Sequence, residues 1–247
     1  MLRFEDIWFK YGKDWILKGV SGEALPSRAL ALVGPTGCGK STLLFILANL
    51  LKPNKGKVTF KGRSVRREEV GLLFQDPDEQ LFNPTVFDEI AYALRTLGLG
   101  EKEVRERVLS ISDRLGIKEF LHKSPHKLSV GQKRLVALAS VIVYEPEVLL
   151  LDEPSANLDR RSLNAIKEVM EEYKKNRKIL IFSTHDPNMI LEHADDVCYF
   201  EDGKTRCTNV EDFIEDIENT SLPIPRTLEM LLRSMDKREL LERARSR

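Results

Sequence analysis

The chain has 247 residues, a length that allows one large α/β domain with an appendage. Lysine plus arginine equals aspartate plus glutamate at 39 each, so the net charge near zero argues against a nucleic-acid-binding surface. No apolar run reaches membrane-spanning length, and three scattered cysteines are too few for a disulfide framework or a zinc cluster. We therefore expect a protein of the reducing cytosol, in which Cys198 and Cys207 are packing residues of a sheet.

Two strands are predicted at the start of the chain. Residues 2–11 read as a strand, and a turn at 12–14 leads into a second strand through 15–17. Tyr11 ends the first strand, and from the pattern alone it is an ordinary edge aromatic.

The segment that follows carries the most specific motif. An apolar run at 29–33 precedes it, and a helical run follows from residue 43 to 51. Two glycines around four residues, then Lys40 and Ser41, form the phosphate-binding pattern. Glycines let backbone N–H groups turn toward an anion, the helix N-terminus favours negative charge, and Lys40 adds a full positive charge. The motif predicts a nucleoside triphosphate ligand. Its residues are Gly34, Pro35, Thr36, Gly37, Cys38, Gly39, Lys40, Ser41 and Thr42.

A helical segment interrupts the predicted sheet. Residues 70–74 form a compact apolar run, suited to a buried strand, that ends in Gln75. From about residue 76 to 144 the periodicity is helical, without a good strand, which predicts an inserted helical subdomain. Inside it, Ser129 is an N-cap candidate at a helix start, and together with Gly131 it makes a second possible anion site.

Strand patterns return in the second half of the chain. The apolar run at 148–151 ends in Asp152 and Glu153, the form of a buried parallel strand that delivers carboxylates to its carboxyl edge. Another strand at 178–182 leads to His185. We expect these side chains to meet at one edge of the sheet.

The remaining elements are predicted from caps and turns. Asp159 caps a helix that extends to about residue 175, and a closing hairpin turns at residues 202–203. From residue 210 the pattern is amphipathic and helical, with a proline-containing break at 222–225.

Together, these strand ends suit phosphoryl transfer to water. That reaction needs a phosphate cradle, Mg²⁺, a group that positions water, and contacts on the γ-phosphate. Ser41 and Asp152 are natural supports for Mg²⁺, one as a direct ligand and the other directly or through water, and Gln75 is predicted to join them. Glu153 can act as general base, and His185 reaches the same crevice. Each residue alone has an ordinary structural explanation, so the prediction rests on their joint placement.

The order of these motifs resembles that of ATP-binding-cassette (ABC) transporter ATPase subunits over residues 1 to about 208. The matching segments are Tyr11, the phosphate loop at 34–42, Gln75, a signature at 128–132, the pair Asp152 and Glu153, residues 155–159, and His185. The resemblance implies an α/β fold: a P-loop NTPase (RecA-like) core with an antiparallel β subdomain and an inserted helical signature subdomain. A small C-terminal helical extension at 209–247 would help two ATPases dimerise.

The resemblance also implies a head-to-tail dimer that binds ATP and Mg²⁺ between two chains. Ser129, Gly131 and Gln132 of one chain would contact the nucleotide held by the other. Asp159 would lie at the interface between the subunits and link the two sites. The second ATPase is either another copy of this chain or a relative.

Within one chain, the resemblance assigns further roles. Tyr11 would stack on adenine, Glu153 would polarise the attacking water, and His185 would contact the γ-phosphate. The helical subdomain would carry a groove for an integral membrane partner, and Gln75 would couple that groove to the nucleotide. The expected location is the cytoplasmic face of the membrane, with no nucleic-acid partner.

Two positions depart from the family pattern, and one segment matches a subgroup. Val130 stands where the signature usually has glycine, and Leu135 stands where arginine is usual, which puts local polar contacts near that helix in question. Residues 75–82 and the break near 222 resemble ATPases of cobalt, nickel and energy-coupling-factor vitamin importers.

The leading hypothesis is therefore an ATPase that energises uptake of a metal ion or vitamin through a membrane transporter. Alternatives are a soluble ABC protein acting as a nucleotide-gated clamp on ribosomes or DNA, the ATPase of another ABC transporter class, and a small-molecule P-loop kinase. Co-purification with an integral membrane protein, rather than with nucleic acid, distinguishes the transport ATPase from the soluble clamp.

Overall fold

The computed structural model describes residues 1–156 and 158–219. The strands of this part of the chain are β1 (Leu2–Tyr11), β2 (Asp14–Ala24), β3 (Ala29–Val33), β4 (Lys55–Phe60), β5 (Arg63–Ser64), β6 (Val70–Leu73), β7 (Val148–Leu151), β8 (Ile179–Thr184), β9 (Asp196–Glu201) and β10 (Lys204–Asn209). The helices are α1 (Lys40–Leu47), α2 (Val86–Thr96), α3 (Glu101–Arg114), α4 (Val130–Ile142), α5 (Arg160–Lys175), α6 (Pro187–His193) and α7 (Val210–Asn219). The predicted mixed α/β fold is confirmed.

The strands form two sheets. An antiparallel sheet has the order β2-β1-β4-β5, and a larger sheet has the order β10-β9-β3-β8-β7-β6, in which only β10 runs antiparallel to its neighbour. In the parallel part, Val33 pairs with Thr184, Leu151 with Phe182, and Leu73 with Leu151. The carboxyl ends of β3, β8, β7 and β6 therefore lie level with one another.

The parallel strands are buried on both faces, which explains their continuous apolar runs. In β3, Ala29, Ala31 and Val33 belong to a core shared with the helices of the insertion and with α5. Leu30 and Leu32 point the other way, into a core shared with α1 and the antiparallel sheet. The phosphate loop and its helix are thus held between two cores.

The helical insertion occupies the predicted place between β6 and β7. Its last helix, α4, packs on α2, on α5 and on β6, so it joins the insertion to the sheet. Ser129 caps α4 as predicted: its hydroxyl accepts from the Gln132 N–H at 3.4 Å, and the Gln132 side-chain oxygen accepts from the Ser129 N–H at 3.0 Å.

The predicted cap at Asp159 is also confirmed. Its carboxylate accepts from the N–H groups of Arg161 and Ser162, both at 2.9 Å, and α5 ends at Lys175. The helical pattern from residue 210 appears as α7. The break at 222–225 and the rest of the predicted extension lie outside the described residues.

The expectation for two cysteines needs correction. Cys198 packs in the core as predicted, but the structure joins it to Cys207 in a disulfide. The cause is the register of the hairpin, which places the two residues directly opposite each other with their Cα atoms 4.0 Å apart.

A buried carboxylate links the two sheets. Glu69 comes just before β6, and its side chain accepts from the Arg63 guanidinium of β5 at 2.9 Å and from the Arg66 N–H at 3.1 Å. The hydrogen bond from Arg63 is the main reason that the pKa of Glu69 falls from 4.5 to about 2, and the bonds from Arg66 add to it. The charged carboxylate is therefore the form that the fold stabilises.

We expect Glu69→Gln to lower the free energy of unfolding at pH 7 by about 1 kcal/mol, because the arginine partners stay partly in water. A folded-state pKa of about 2, below the ordinary 4.5, means that this contribution is present above pH 4.5 and fades as the pH falls toward 2. Urea denaturation should show the gap between wild type and variant narrowing from pH 6 to pH 3.

Glu68→Gln is the matched control, because Glu68 is exposed and pairs with an exposed Arg66. Its free energy of unfolding should stay within about 0.5 kcal/mol of wild type at both pH values. A gap for Glu69→Gln that keeps its size at pH 3 contradicts the assignment.

Candidate functional site

The predicted phosphate loop connects β3 to α1. Gly37 and Gly39 have φ angles of 80° and 106°, in the left-handed region that favours glycine. Lys40 is buried, and its ammonium group donates to the carbonyls of Gly34 at 2.9 Å and Pro35 at 3.2 Å. The lysine charge therefore lies across the loop, beside the first turn of α1, whose N–H groups have no acceptor within the helix.

The hairpin of β1 and β2 packs on this loop. A Cβ atom built on Gly39 would lie 2.7 Å from Leu17 and 3.0 Å from Ile16, so the backbones approach closely. Tyr11 lies at the end of the same hairpin, opposite Asp14, with 51% of its surface exposed. Tyr11 is thus a largely exposed aromatic residue on the hairpin that contacts the loop.

The acid pair lies at the end of β7. The Asp152 N–H donates to the Leu73 carbonyl of β6 at 2.9 Å. The Ser183 hydroxyl of β8 donates to the Asp152 carboxylate at 2.5 Å and accepts from the Glu153 N–H at 2.9 Å. Both acids are buried, and the Ser183 hydroxyl replaces water that the Asp152 carboxylate loses. Sequence analysis gave Ser183 no role, although its place at a strand end is visible in the sequence.

Glu153 and His185 lie together as predicted. The Glu153 carboxylate is 2.8 Å from Nδ1 of His185 and accepts from the His185 N–H at 3.4 Å. The Glu153 side chain is only 9% exposed, whereas the imidazole is 61% exposed. The pair can share a proton and presents it at the carboxyl edge of the sheet.

Beyond the predicted residues, an arginine ties these strand ends together. The buried guanidinium of Arg134, on α4, donates to four backbone carbonyls that follow β6 and β7. Leu135, which departs from the family pattern, is a core residue. Arg134, one residue earlier, makes the polar contacts that an arginine at position 135 was expected to make. Leu138 and Val141, four and seven residues beyond Arg134, are buried. At this spacing Arg134 falls within the apolar stripe of the helix, and that position was the sequence signal for a buried arginine.

Two glutamines follow β6 and behave differently. Gln75, the predicted one, is exposed, and its backbone carbonyl accepts from Arg134. Gln80, which sequence analysis did not single out, accepts from the Phe74 N–H at 3.0 Å and donates to the Leu72 carbonyl at 3.3 Å. Gln80 thereby fixes the segment after β6 to the strand itself.

The signature segment lies apart from the phosphate loop. A Cβ atom on Gly131 would collide with Asp159 and with Ser162 at 2.8 Å, so α4 and α5 meet closely there. In the described part of the chain, no hydrogen bond joins Ser129, Gly131 or Gln132 to residues 34–42. Ser129 and Gln132 instead bond to each other. Within the described residues, no hydrogen bond therefore connects the two predicted anion sites.

The ABC transporter family profile matches residues 17–156, and an AAA-domain profile matches residues 123–191. Two proteins named energy-coupling factor transporter ATP-binding protein EcfA are similar. The one from Methanocaldococcus jannaschii is 36% identical, covering 92% of this chain and 86% of that protein. The one from Methanothermobacter thermautotrophicus is 34% identical, covering 94% and 79%.

Two solved structures of ABC ATPases are also similar to this chain. CbiO1 from Clostridium perfringens, described as part of the ABC transporter complex cbiONQ, is 32% identical with a TM-score of 0.74, covering 93% of this chain and 98% of that one. An ATP-binding cassette dimer with ADP and Pi shares the fold, with a TM-score of 0.76 at 24% identity, covering 85% and 99%. Within the described residues, no helix is long and apolar enough to cross a membrane.

Cys38 offers a chemical probe of the phosphate loop. It is a free, partly buried cysteine, and burial raises the pKa of its thiol while the charge of Lys40 opposes the shift. We expect a bulky maleimide to react slowly at pH 7 and faster at pH 9, to abolish ATP binding once attached, and to be excluded by ATP. Mass spectrometry and equilibrium dialysis measure these results.

Cys38→Ser is the matched control, because the remaining cysteines are joined to each other. This variant should resist the reagent and keep ATP affinity within about threefold of wild type. Unchanged ATP affinity after complete labelling of Cys38 refutes the assigned place of this loop.

Proposed function

Because the chain belongs to the ABC transporter ATP-binding family and is an ATPase, we propose that it energises uptake through a membrane importer of the energy-coupling-factor type. The relatives named EcfA and the similarity to CbiO1 support this class. The solute is a metal ion such as cobalt or nickel, or a vitamin. The membrane subunit decides between these solutes, since the ATPase does not contact the cargo.

The proposed ATP site starts from the phosphate loop. The loop N–H groups and the Lys40 ammonium bind the phosphates, with Lys40 exchanging its carbonyl partners for phosphate oxygens. Tyr11 stacks on adenine from the adjoining hairpin. Residues 34–42 thus supply the phosphate cradle and residue 11 the base contact.

Mg²⁺ fits the donors at this site. Asp152 offers a buried carboxylate at the end of β7, the Ser41 hydroxyl lies in the first turn of α1, and Gln75 offers an amide after β6. Oxygen donors of this kind are those that Mg²⁺ prefers, and the bound ion would neutralise phosphate charge.

The hydrogen-bonded pair of Glu153 and His185 carries the proposal for hydrolysis. Glu153 orients the attacking water and accepts its proton, and His185 holds the carboxylate and contacts the γ-phosphate. The exposed imidazole beside a shielded carboxylate suits this division of roles.

A second chain completes the proposed site. Ser129, Gly131 and Gln132 lie at the start of α4, where the helix N-terminus favours an anion, yet they make no hydrogen bond to this chain's own phosphate loop. We place them against the nucleotide of a partner ATPase, arranged head to tail. Asp159, beside Gly131, then lies near the interface, and residues 209–247 form a C-terminal extension that supports dimerisation.

We expect Glu153→Gln to bind ATP and to dimerise in it while turnover falls about a hundredfold or more, because the general base is lost. Phosphate release measures turnover, and light scattering at saturating ATP measures dimerisation. Glu147→Gln, at the opposite end of the same strand and paired with Lys61, is the control and should keep wild-type turnover. A Glu153→Gln protein that stays monomeric in ATP contradicts the two-chain site.

A surface groove is the proposed dock for the membrane subunit. Its cavity of about 270 Å³ lies between the end of α1, β6 and the helices α2 and α4. Phe82, Tyr92 and Leu50 line it and are 63%, 51% and 45% exposed, and the two aromatic rings meet edge to face at 5.0 Å. Exposed aromatic pairs are typical of binding sites for a partner protein. We place the ATPase at the cytoplasmic face of the membrane.

We expect the double substitution Phe82→Ala and Tyr92→Ala to reduce capture of the membrane subunit about tenfold or more, because it removes the apolar anchors of the groove. ATP turnover of the isolated chain should stay within about twofold of wild type. Affinity purification from the native membrane, with mass spectrometry of the captured proteins, makes the measurement.

Leu97→Ala is the matched control, since Leu97 is 47% exposed at the end of α2 but does not line the groove. Its capture of the membrane subunit should equal that of wild type. Capture of ribosomes or DNA in place of an integral membrane protein overturns the proposed function.

A further inference from the structure

The Arg134 guanidinium contacts both strand ends that carry the proposed chemistry. One terminal nitrogen donates to the carbonyls of Phe74, at 2.7 Å, and Gln75. The other donates to the carbonyls of Asp152 at 3.0 Å and Glu153 at 2.6 Å. The planar guanidinium presents its N–H groups in a fixed fork, so its position sets the spacing of the two backbones.

This contact bears directly on the backbone of Glu153. That residue has a φ angle of 45°, in the left-handed region, which costs about 1 kcal/mol or more for a residue other than glycine. Three hydrogen bonds hold the conformation: the N–H donates to Ser183, and the carbonyl accepts from Arg134 and from the Ala156 N–H at 3.2 Å. Because the backbone conformation directs the side chain, these bonds help to fix where the carboxylate meets His185.

The same arginine belongs to the helix that carries the signature. Arg134 lies on α4, five residues after its N-cap Ser129. The neighbouring Lys133 adds a second tie, because its ammonium donates to both carboxylate oxygens of Asp78 at 2.6 and 2.8 Å, in the segment after β6. The start of α4 is therefore joined to both strand ends by charged hydrogen bonds.

A contribution to folding stability does not explain why a guanidinium is buried at Arg134. Arg134 is 99% buried, and its Nε has no hydrogen-bond partner within the described residues. Burial lowers the pKa of its guanidinium, and the charges of Asp152, Asp76 and Glu153 oppose that shift. Desolvating a cation is costly, and buried charges of this kind are weak grounds for stability.

We propose that Arg134 is a positioning residue for ATP hydrolysis, which sets the backbone of Glu153 and links it to the signature helix of the same chain. The proposal rests on the proposed function, in which Glu153 serves this chain's own nucleotide and the signature serves the partner's nucleotide. Arg134 then connects the two composite sites of the dimer. It joins Glu153, which acts on this chain's own nucleotide, to the signature helix, which contacts the partner's nucleotide.

The test separates positioning from binding and from folding. In Arg134→Met, the four carbonyls lose their donor while the side-chain volume stays similar, and we expect kcat to fall about tenfold or more with the Kd for ATP within about threefold. Arg134→Lys keeps the charge but lacks the fork, so its kcat should lie between those of Arg134→Met and wild type.

A third protein carries both Arg134→Met and Glu153→Gln. Because both changes act on the same step, the double variant should turn over ATP within about twofold of Glu153→Gln alone. The matched control is Arg114→Met, which removes a guanidinium that joins α3 to Glu172 of α5, away from the strand ends. Its melting temperature should fall, but kcat should stay within about twofold of wild type.

Wild-type kcat in a folded Arg134→Met protein overturns the proposal, as does a loss of ATP affinity that matches the loss of kcat. If Arg134→Met fails to fold, Arg134→Lys decides: wild-type kcat in that variant also overturns it. A wild-type chain that hydrolyses ATP but captures no membrane subunit would instead refute the proposed transport function and leave this result standing.

Discussion

The level register of four parallel strands is the constraint on which the site depends. Because β3, β8, β7 and β6 end together, the residues that follow them meet at one edge without further folding of the chain. Alternating side chains from each strand feed two separate cores, so a slip in any strand would disturb both at once. The apolar packing thereby fixes the relative positions of polar groups that contribute little to the cores themselves.

Gathering charges at this edge creates a desolvation problem, and the structure solves it with backbone and hydroxyl groups. Lys40 is buried against two carbonyls, and Arg134 against four. The Ser183 hydroxyl donates to the Asp152 carboxylate and accepts from the Glu153 N–H, and the Glu153 carboxylate is bonded by His185. Carbonyl and hydroxyl dipoles partner the Lys40 ammonium, the terminal nitrogens of Arg134 and the Asp152 carboxylate without cancelling their charge, so the charges remain available to a triphosphate. Such an arrangement sacrifices some stability for a site that is already organised when substrate arrives.

How far the sequence predicts this protein depends on the range of each interaction. The caps at Ser129 and Asp159 and the phosphate loop were predictable because their partners lie within a few residues. The buried strands were predictable from apolar runs. By contrast, the donor role of Arg134, the bridging role of Ser183 and the pairing of Cys198 depend on register and on packing between distant segments. No local pattern contains that information, although an arginine inside the apolar stripe of α4 marks where to look.

The segment after β6 suggests how docking and hydrolysis are physically connected. Phe82 lines the proposed dock, and two residues earlier the Gln80 side chain is hydrogen-bonded to the backbone of Leu72, in β6, and of Phe74, just after it. A partner that binds at Phe82 therefore acts two residues from the bonds that hold the end of that strand. The Gln75 carbonyl at the same strand end is held by Arg134, which also holds Glu153. Because packed elements shift between discrete arrangements rather than stretch, a movement in the groove has a short, stiff route to the proposed general base. The route consists of hydrogen bonds from the side chains of Gln80 and Arg134 to the backbone, and none of them involves a transported solute.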